Sequence, residues 1–257
     1  MDTLADGRLT YIPGRIARLN LTGAARRNAI SRAMWAALPP LCARIAADQA
    51  VRVVILAAEG EVFSAGADIG EFAQVYADAA GTGAYNALVR AGLAALAALP
   101  QPVLAAVNGA CVGGGCGLAL SGDLIFAGPL ARFGITPARL GLAYCWEDTA
   151  RLVARVGPGR AKDMLFSGRL LPGPEALAIG LIDRVADDPL GAALDYAAGL
   201  ASLSAVSIRA AKLTVNALTA PGTPDQAAAR AAIAAAFDST DFAEGKAAFA
   251  DRRKPVF

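Results

Sequence analysis

The chain has 257 residues, 56% hydrophobic but only 6% aromatic, with a formal net charge of +2. That length suits one large domain with a small appendage, and a near-neutral chain with no lysine/arginine stripe interleaved with aromatics argues against a nucleic-acid binder. There is no histidine, so the usual neutral-pH general base and the commonest metal ligand are both missing.

The first eight residues carry acids and no apolar stretch, so no signal peptide is expected and a cytoplasmic location is. Leu9 to Ile12 and Arg15 to Leu21 flank Pro13-Gly14 and read as a hairpin. Asn28 to Ala47 has apolar residues at helical spacing, with Ser31 as N-cap. The β-branched run Val51 to Ala57 reads as a strand covered on both faces. A glycine turn follows, Phe63-Ser64-Ala65-Gly66-Ala67-Asp68, and then Ile69 to Gly83, rich in Ala, Gly and Asp, reads as a lid. Asn86 to Leu99 is helical in pattern, and Val103 to Val107 is a strand. The second glycine turn, Asn108 to Gly117, opens into a helix from Gly114 to Ser121. Short strands are expected at Leu124 to Ala127 and Ala131 to Gly134. No residue from Ala91 to Gly122 is charged, but Pro100, Pro102 and the glycines break the stretch. No run of about 20 apolar residues survives to span a membrane.

Glu147 and Asp148 read either as site carboxylates or as the N-cap and first-turn acids of a helix running to Val156. Beyond Asp187 the strands stop. Leu190 to Leu203, Ala205 to Leu218, Asp225 to Phe237 and Phe242 to Arg253 read as Ala-rich helices, two of them parted by Pro221-Gly222. Lys212 is expected on a helix surface. The recurring order of strand, turn and helix implies an α/β fold with parallel strands and ligands at their C-terminal ends. Residues 1–195 form the expected core, and 196–257 a helical oligomerisation region.

The four cysteines, Cys42, Cys111, Cys116 and Cys145, have neither disulfide nor zinc spacing. They read as small buried hydrophobes, and no metal site is expected. No G-x-G-x-x-G, P-loop or G-x-S-x-G motif is present. What remains is the pair of turns. A backbone NH at the mouth of a strand and the start of a helix has no partner within the helix. Two such groups, at Ala67 and Gly114, converging on one point would make an oxyanion hole, in which one donor contributes about 2.7 to 4 kcal/mol. The alternative is that both turns are tight connections that need glycine.

Several segments together resemble the crotonase superfamily, also called the enoyl-CoA hydratase/isomerase family. They are Asn20 to Ile30, Val53 to Leu56 through Ile69, Pro102 to Asp123, Phe166 to Arg169 with Ala176 to Val185, and Phe242 to Phe257. The resemblance covers nearly the whole chain. It implies a spiral of ββα units, a helical C-terminal trimerisation region commonly packed as a hexamer, and an acyl-CoA thioester substrate. Coenzyme A enters as part of that substrate, and no other cofactor is implied. The resemblance also implies that the thioester carbonyl sits between the NH groups of Ala67 and Gly114, within a binding surface comprising Ala65, Asp68, Ile69 and Gly113.

The departures are as informative. Family hydratases carry one glutamate after the glycine run and another after the Phe-Gly pattern; those places are Gly117 and Pro137 here. General acid–base help is worth about 10²- to 10⁴-fold per group, so ordinary hydration is put in doubt. The string Phe133-x-x-Thr136-Pro137-x-x-Leu140-Gly141-x-x-Tyr144 is similar to methylmalonyl-CoA decarboxylase, a family member in which the matching tyrosine lies beside the substrate carboxylate. Cys145 stands where some isomerases and dehalogenases of the family place an aspartate. Tyr144 and Glu147 are therefore candidate proton carriers, with a core aromatic and a first-turn acid as the plainer alternatives. Arg26, Arg27 and Lys254 are candidates for the CoA phosphates or solvated charges. The chain reads as a decarboxylase-like or isomerase-like enzyme; a hydratase/isomerase using Glu147 and a non-catalytic acyl-CoA-binding paralogue stand as alternatives.

Overall fold

The computed structural model describes residues 1–219 and 226–257. In chain order its strands are β1 (Asp2–Leu4), β2 (Leu9–Ile12), β3 (Ile16–Leu21), β4 (Val53–Ala58), β5 (Val103–Val107), β6 (Ala110–Val112), β7 (Leu124–Ala127), β8 (Arg132–Gly134), β9 (Leu171–Pro172) and β10 (Arg184–Val185). Its helices are α1 (Arg32–Ala47), α2 (Phe72–Val75), α3 (Ala79–Ala97), α4 (Gly114–Leu120), α5 (Trp146–Ser167), α6 (Gly173–Ala178), α7 (Pro189–Ala201), α8 (Ala205–Thr219), α9 (Gln226–Phe237) and α10 (Thr240–Ala250). The larger sheet has the order β1-β2-β3-β4-β5-β7-β10, antiparallel to β3 and parallel thereafter; the smaller has the order β6-β8-β9.

Strand β5 is buried at every residue, because both faces of the sheet are covered. Val103, Ala105 and Val107 join Val54 and Leu56 in the main core. Leu104 and Ala106 face the other way, joining Val53, Ile55 and Phe126 under Ala193 and Ala197 of α7. This is why the central strands read as continuous apolar runs rather than alternating ones.

The chain then climbs as a spiral. After β4 in the large sheet it reaches Ser64, which bridges in parallel to Cys111 of β6. Strand β5 in the large sheet is followed by β6 in the small one and by α4. In the same way β7 is followed by β8 and α5, and β8 lies parallel to β6 with Cys111 opposite Phe133. Each turn of the spiral is thus two strands and a helix. Each delivers its helix or loop from the same edge of the small sheet.

The boundaries differ from the sequence reading where local bonds take precedence. Helix α1 begins at Arg32, capped by Ser31 as expected, and not at Asn28. Arg27 and Asn28 have φ of 53° and 52°, and the buried Asn28 amide donates to the carbonyls of Glu59 (2.8 Å) and Val62 (2.7 Å). Those bonds hold the stretch in a turn. The segment read as a lid is a 3-10 turn (Ile69–Glu71), then α2, then the start of α3. Asp78 caps α3 by accepting from the Gly81 amide at 2.7 Å, so the helix starts at Ala79 despite Gly81 and Gly83. Helix α5 runs past Val156 to Ser167, with a break at Gly157 (φ 76°) before Pro158. Proline there begins a second helical stretch.

The largest correction concerns Lys212. Its side chain is only 9% exposed, and its Nζ lies 2.7 Å from Asp123 Oδ2 and 2.9 Å from the Gln101 carbonyl. It fastens α8 to the sheet instead of facing solvent. The expected division at 195/196 falls inside α7, which packs on the large sheet. Pro221-Gly222 and Asp225, read as a turn and a helix start, lie outside the described residues. Among the described residues no single helix is long and apolar enough to cross a membrane.

Candidate active site

The spiral's register builds the site. Ser64 stands opposite Cys111, so the third residue after each, Ala67 and Gly114, comes off the small sheet side by side. A side chain on Gly114 would bring its first carbon to 3.7 Å from the Ala67 nitrogen and 3.2 Å from the Trp35 ring. One on Gly66, where φ is +98°, would meet the Val112 carbonyl oxygen at 2.9 Å and the Gly114 nitrogen at 3.5 Å. Glycine at 66 is therefore required twice, by the backbone angle and by the neighbouring turn. Gly113, the N-cap of α4, has φ 53° and ψ −116°, again open only to glycine.

The amides around the pair are spoken for. Ile30 N donates to Gly66 O at 2.8 Å, Asp68 N donates to Ile30 O at 3.0 Å, and Gly113 N donates to Gly134 O at 2.8 Å. Neither Ala67 N nor Gly114 N has an acceptor among the described residues. Two free donors from adjacent turns can bind one oxygen that gains negative charge.

Asp68 is 8% exposed and pairs with Arg8 at 2.9 Å and, more loosely, with Arg26 at 3.5 Å. Burial alone would raise its pKa. The Arg8 hydrogen bond, the Gly70 amide and the charges of Arg8 and Arg26 outweigh that and hold it below the usual aspartate value. These contacts tie the residue next to Ala67 to Arg8, Arg26 and the Gly70 amide. Ala65, Ile69, Arg26 and Arg27 are exposed around that turn. Lys254 is exposed too, but it lies in the tail whose last carbonyl, at Phe257, is bonded by Arg15 just before β3. That is the opposite end of the parallel strands from Arg26 and Arg27, so the chain does not bring these three cations together.

Below the amides lies Gly117. A side chain there would meet Leu93 Cδ1 at 3.4 Å, the Tyr144 hydroxyl at 3.4 Å and Asp148 Oδ2 at 3.5 Å. The Tyr144 hydroxyl is buried with no hydrogen-bond partner. Burial, and then the nearby Asp148 charge, push its pKa well above that of a free tyrosine, so it is a neutral donor. Burial likewise pushes the half-buried Cys145 thiol up to about 12, so it is no thiolate at neutral pH.

Helix α5 starts immediately after Cys145, and its phase separates the two acids. Glu147 points to solvent, whereas Asp148 is 4% exposed. Of the two acids offered by the sequence, Glu147, the candidate proton carrier, is therefore the one that faces away from Gly117. A signal for Asp148 was available: it shares one face with Leu152 and Val156, four and eight residues on, and all three are buried. Arg151 donates to Asp148 Oδ1 at 2.7 Å, leaving Oδ2 toward Gly117. Desolvation raises the Asp148 pKa, with the Cys145 thiol and Arg151 only partly opposing.

Among the described residues no cluster of three or more Cys, Asp or Glu side chains could hold a metal. A groove of about 470 Å³ between α8 and α9 is lined by Ala210, Val215, Ile233 and Phe237 among others, none of them titratable. It is remote from this chemistry.

Residues 12–257 match the family model described as enoyl-CoA hydratase/isomerase. A crystal structure provisionally named an enoyl-CoA hydratase/isomerase family protein, from Hyphomonas neptunium, superposes with a TM-score of 0.93 at 40% identity over 97% of each chain. A Thermus thermophilus protein provisionally named an enoyl-CoA hydratase is 37% identical over 251 residues, 95% of this chain and 98% of that one. Mouse mitochondrial methylglutaconyl-CoA hydratase is 32% identical over 247 residues, 93% of this chain and 78% of that protein.

Proposed function

The chain belongs to the enoyl-CoA hydratase/isomerase family, and from that premise we propose that it acts on an acyl-CoA thioester whose carbonyl oxygen is held between the amides of Ala67 and Gly114. As the thioester becomes an enolate, its oxygen gains charge, and two positioned amides favour that state over the substrate. The observation that carries the reading is the register of Ser64 against Cys111, which sets the two acceptorless amides abreast. Arg26 and Arg27, exposed beside this turn, are the cations this reading gives to the CoA phosphates.

Within the family the reading favours decarboxylation or double-bond migration over hydration. Hydration needs one group to activate water and another to protonate the neighbouring carbon. Positions 117 and 137, where the resembling hydratases carry glutamates, are glycine and proline. A malonyl-type thioester instead carries its own leaving group: loss of CO₂ leaves the electron pair as the enolate, with no base required. Purified protein given malonyl-type, 3-enoyl and 2-enoyl thioesters is expected to release CO₂ from the first or shift the double bond of the second. Fast hydration of the 2-enoyl substrate overturns the preference. Turnover of none of them, with tight thioester binding by calorimetry, converts the reading to a binding paralogue.

The same proposal assigns self-association, as a trimer or pair of trimers, to α8–α10. Leu218, Phe237 and Phe249 are 72%, 66% and 89% exposed there, an apolar display unusual for a free surface. Phe249→Asp is expected to shift the mass by light scattering toward the monomer. An unchanged mass rejects Phe249 as an interface residue.

A further inference from the structure

The thioester reading above assigns no group to move the proton at the enolate carbon, yet a buried carboxyl, Asp148, stands over Gly117. We propose that Asp148 is the residue that moves the proton at the substrate's α-carbon, working from Oδ2 over Gly117 while Arg151 anchors Oδ1. The proposal rests on the thioester reading above and adds the acid–base group which that reading lacks.

Three observations converge on it. Gly117 leaves room where any side chain would stand 3.5 Å from Asp148 Oδ2 and 3.4 Å from the Tyr144 hydroxyl. Gly117 lies one helical turn along α4 from Gly114, so the space over it adjoins the place where a bound oxygen on the Gly114 amide would project its α-carbon. The Tyr144 hydroxyl, buried and without a hydrogen-bond partner, faces the same space. Arg151 bonds Asp148 Oδ1 at 2.7 Å and the Cys145 thiol bonds the same carboxyl, which holds it in place with Oδ2 toward Gly117. Glu147, its neighbour, faces solvent and cannot reach the same space without unwinding the first turn of α5.

The step balances as follows. The Asp148 carboxylate takes the α-proton; the C–H pair becomes the Cα=C1 bond, and the carbonyl pair moves onto the oxygen held by the two amides. In reverse, the enolate pair takes a proton from Asp148 and the carbonyl re-forms. When loss of CO₂ generates the enolate, only this second half is needed, and water reprotonates Asp148 between turnovers. Burial makes Asp148 a stronger base than a solvated aspartate, which suits removal of a weakly acidic proton.

The groups facing Asp148 are Tyr144 and Cys145 on the preceding turn, with Glu147 and Arg151 on its own helix; Cys116 of α4 lies beside Tyr144. Tyr144 and Cys145 stay neutral through the acidic range, both being raised. With Asp148 raised above its ordinary value, exchange catalysed by its carboxylate rises as pH climbs through that raised value and levels above it.

The test is α-deuteration of propionyl-CoA in D₂O by NMR, with propionyl-CoA binding measured by calorimetry, on the full chain. Asp148→Asn keeps the shape and the Arg151 contact. It is expected to lower exchange at least about 100-fold, to remove the pH rise, and to leave binding unchanged. Asp148→Glu is expected to retain a measurable part of the exchange. Wild-type exchange persisting in Asp148→Asn overturns the proposal and leaves the thioester reading intact. So does a wild type that turns over thioesters without exchanging, or an Asp148→Asn that loses binding and exchange together. A wild type that neither binds nor turns over any thioester brings down both.

Discussion

Ala67→Pro is expected to lower kcat on any thioester the protein turns over by about 10²- to 10³-fold, the usual effect of removing one oxyanion donor. Proline removes the NH and fills its place with a ring carbon, and the fold makes no hydrogen bond through that nitrogen. The Ala67 nitrogen has no acceptor among the described residues, while the bridge to Ile30 is made by Gly66 O and Asp68 N. Thermal stability should therefore change little. Ala67→Gly, which keeps the NH, is the control and should remain within a few-fold of wild type. Equal activity in Ala67→Pro and wild type, measured at saturating substrate, removes Ala67 from the site.

Lys212→Met is expected to cost about 2–3 kcal/mol, read as a lower urea midpoint at unchanged slope. Breaking a buried ion pair by removing one partner costs about 3–5 kcal/mol, and the lower figure applies because Asp123 is a quarter exposed, at 27%. The loss falls on two acceptors at once, since Lys212 also serves the Gln101 carbonyl. Desolvation lowers the Lys212 pKa, with Asp123 opposing, so the pair exists against a real penalty. Asp123 retains one duty, accepting from Val103 N at 2.7 Å. The double change Lys212→Met with Asp123→Asn should recover part of the loss, because it leaves no charge unpaired. Hydrogen exchange should speed up most in α8. A midpoint equal to wild type places Lys212 back among ordinary surface lysines.

Much of this architecture can be read from residue patterns alone, for identifiable reasons. The central strands are legible because continuous β-branched runs such as Val53 to Leu56 suit only a sheet covered on both faces. Strand β6 is hidden: Ala110 to Val112 sits between Gly109 and Gly113 and is too short to show a period. Its existence rests on long-range pairing to Arg132–Gly134 and Ser64. Both turns were visible as glycine clusters, whereas their adjacency is a tertiary fact. Lys212 misled because one lysine in an Ala-rich helix reads as surface, and its partner Asp123 lies 89 residues away. Choosing between Glu147 and Asp148 takes helix phase, since composition treats two first-turn acids alike.

The pairing of Ser64 with Cys111 has a consequence for how such a protein tolerates change. On the proposed reading the electrophilic half of the catalyst is main chain, so at position 67 only proline, which lacks the NH, could erase it. Lengthening or shortening either loop by a single residue would break it, however conservative the residue. Chemistry can then be rewritten around Gly117, at 117, 144 or 148, without disturbing the grip on the thioester. Deletion scanning, more than alanine scanning, is the experiment that would map where this scaffold is rigid.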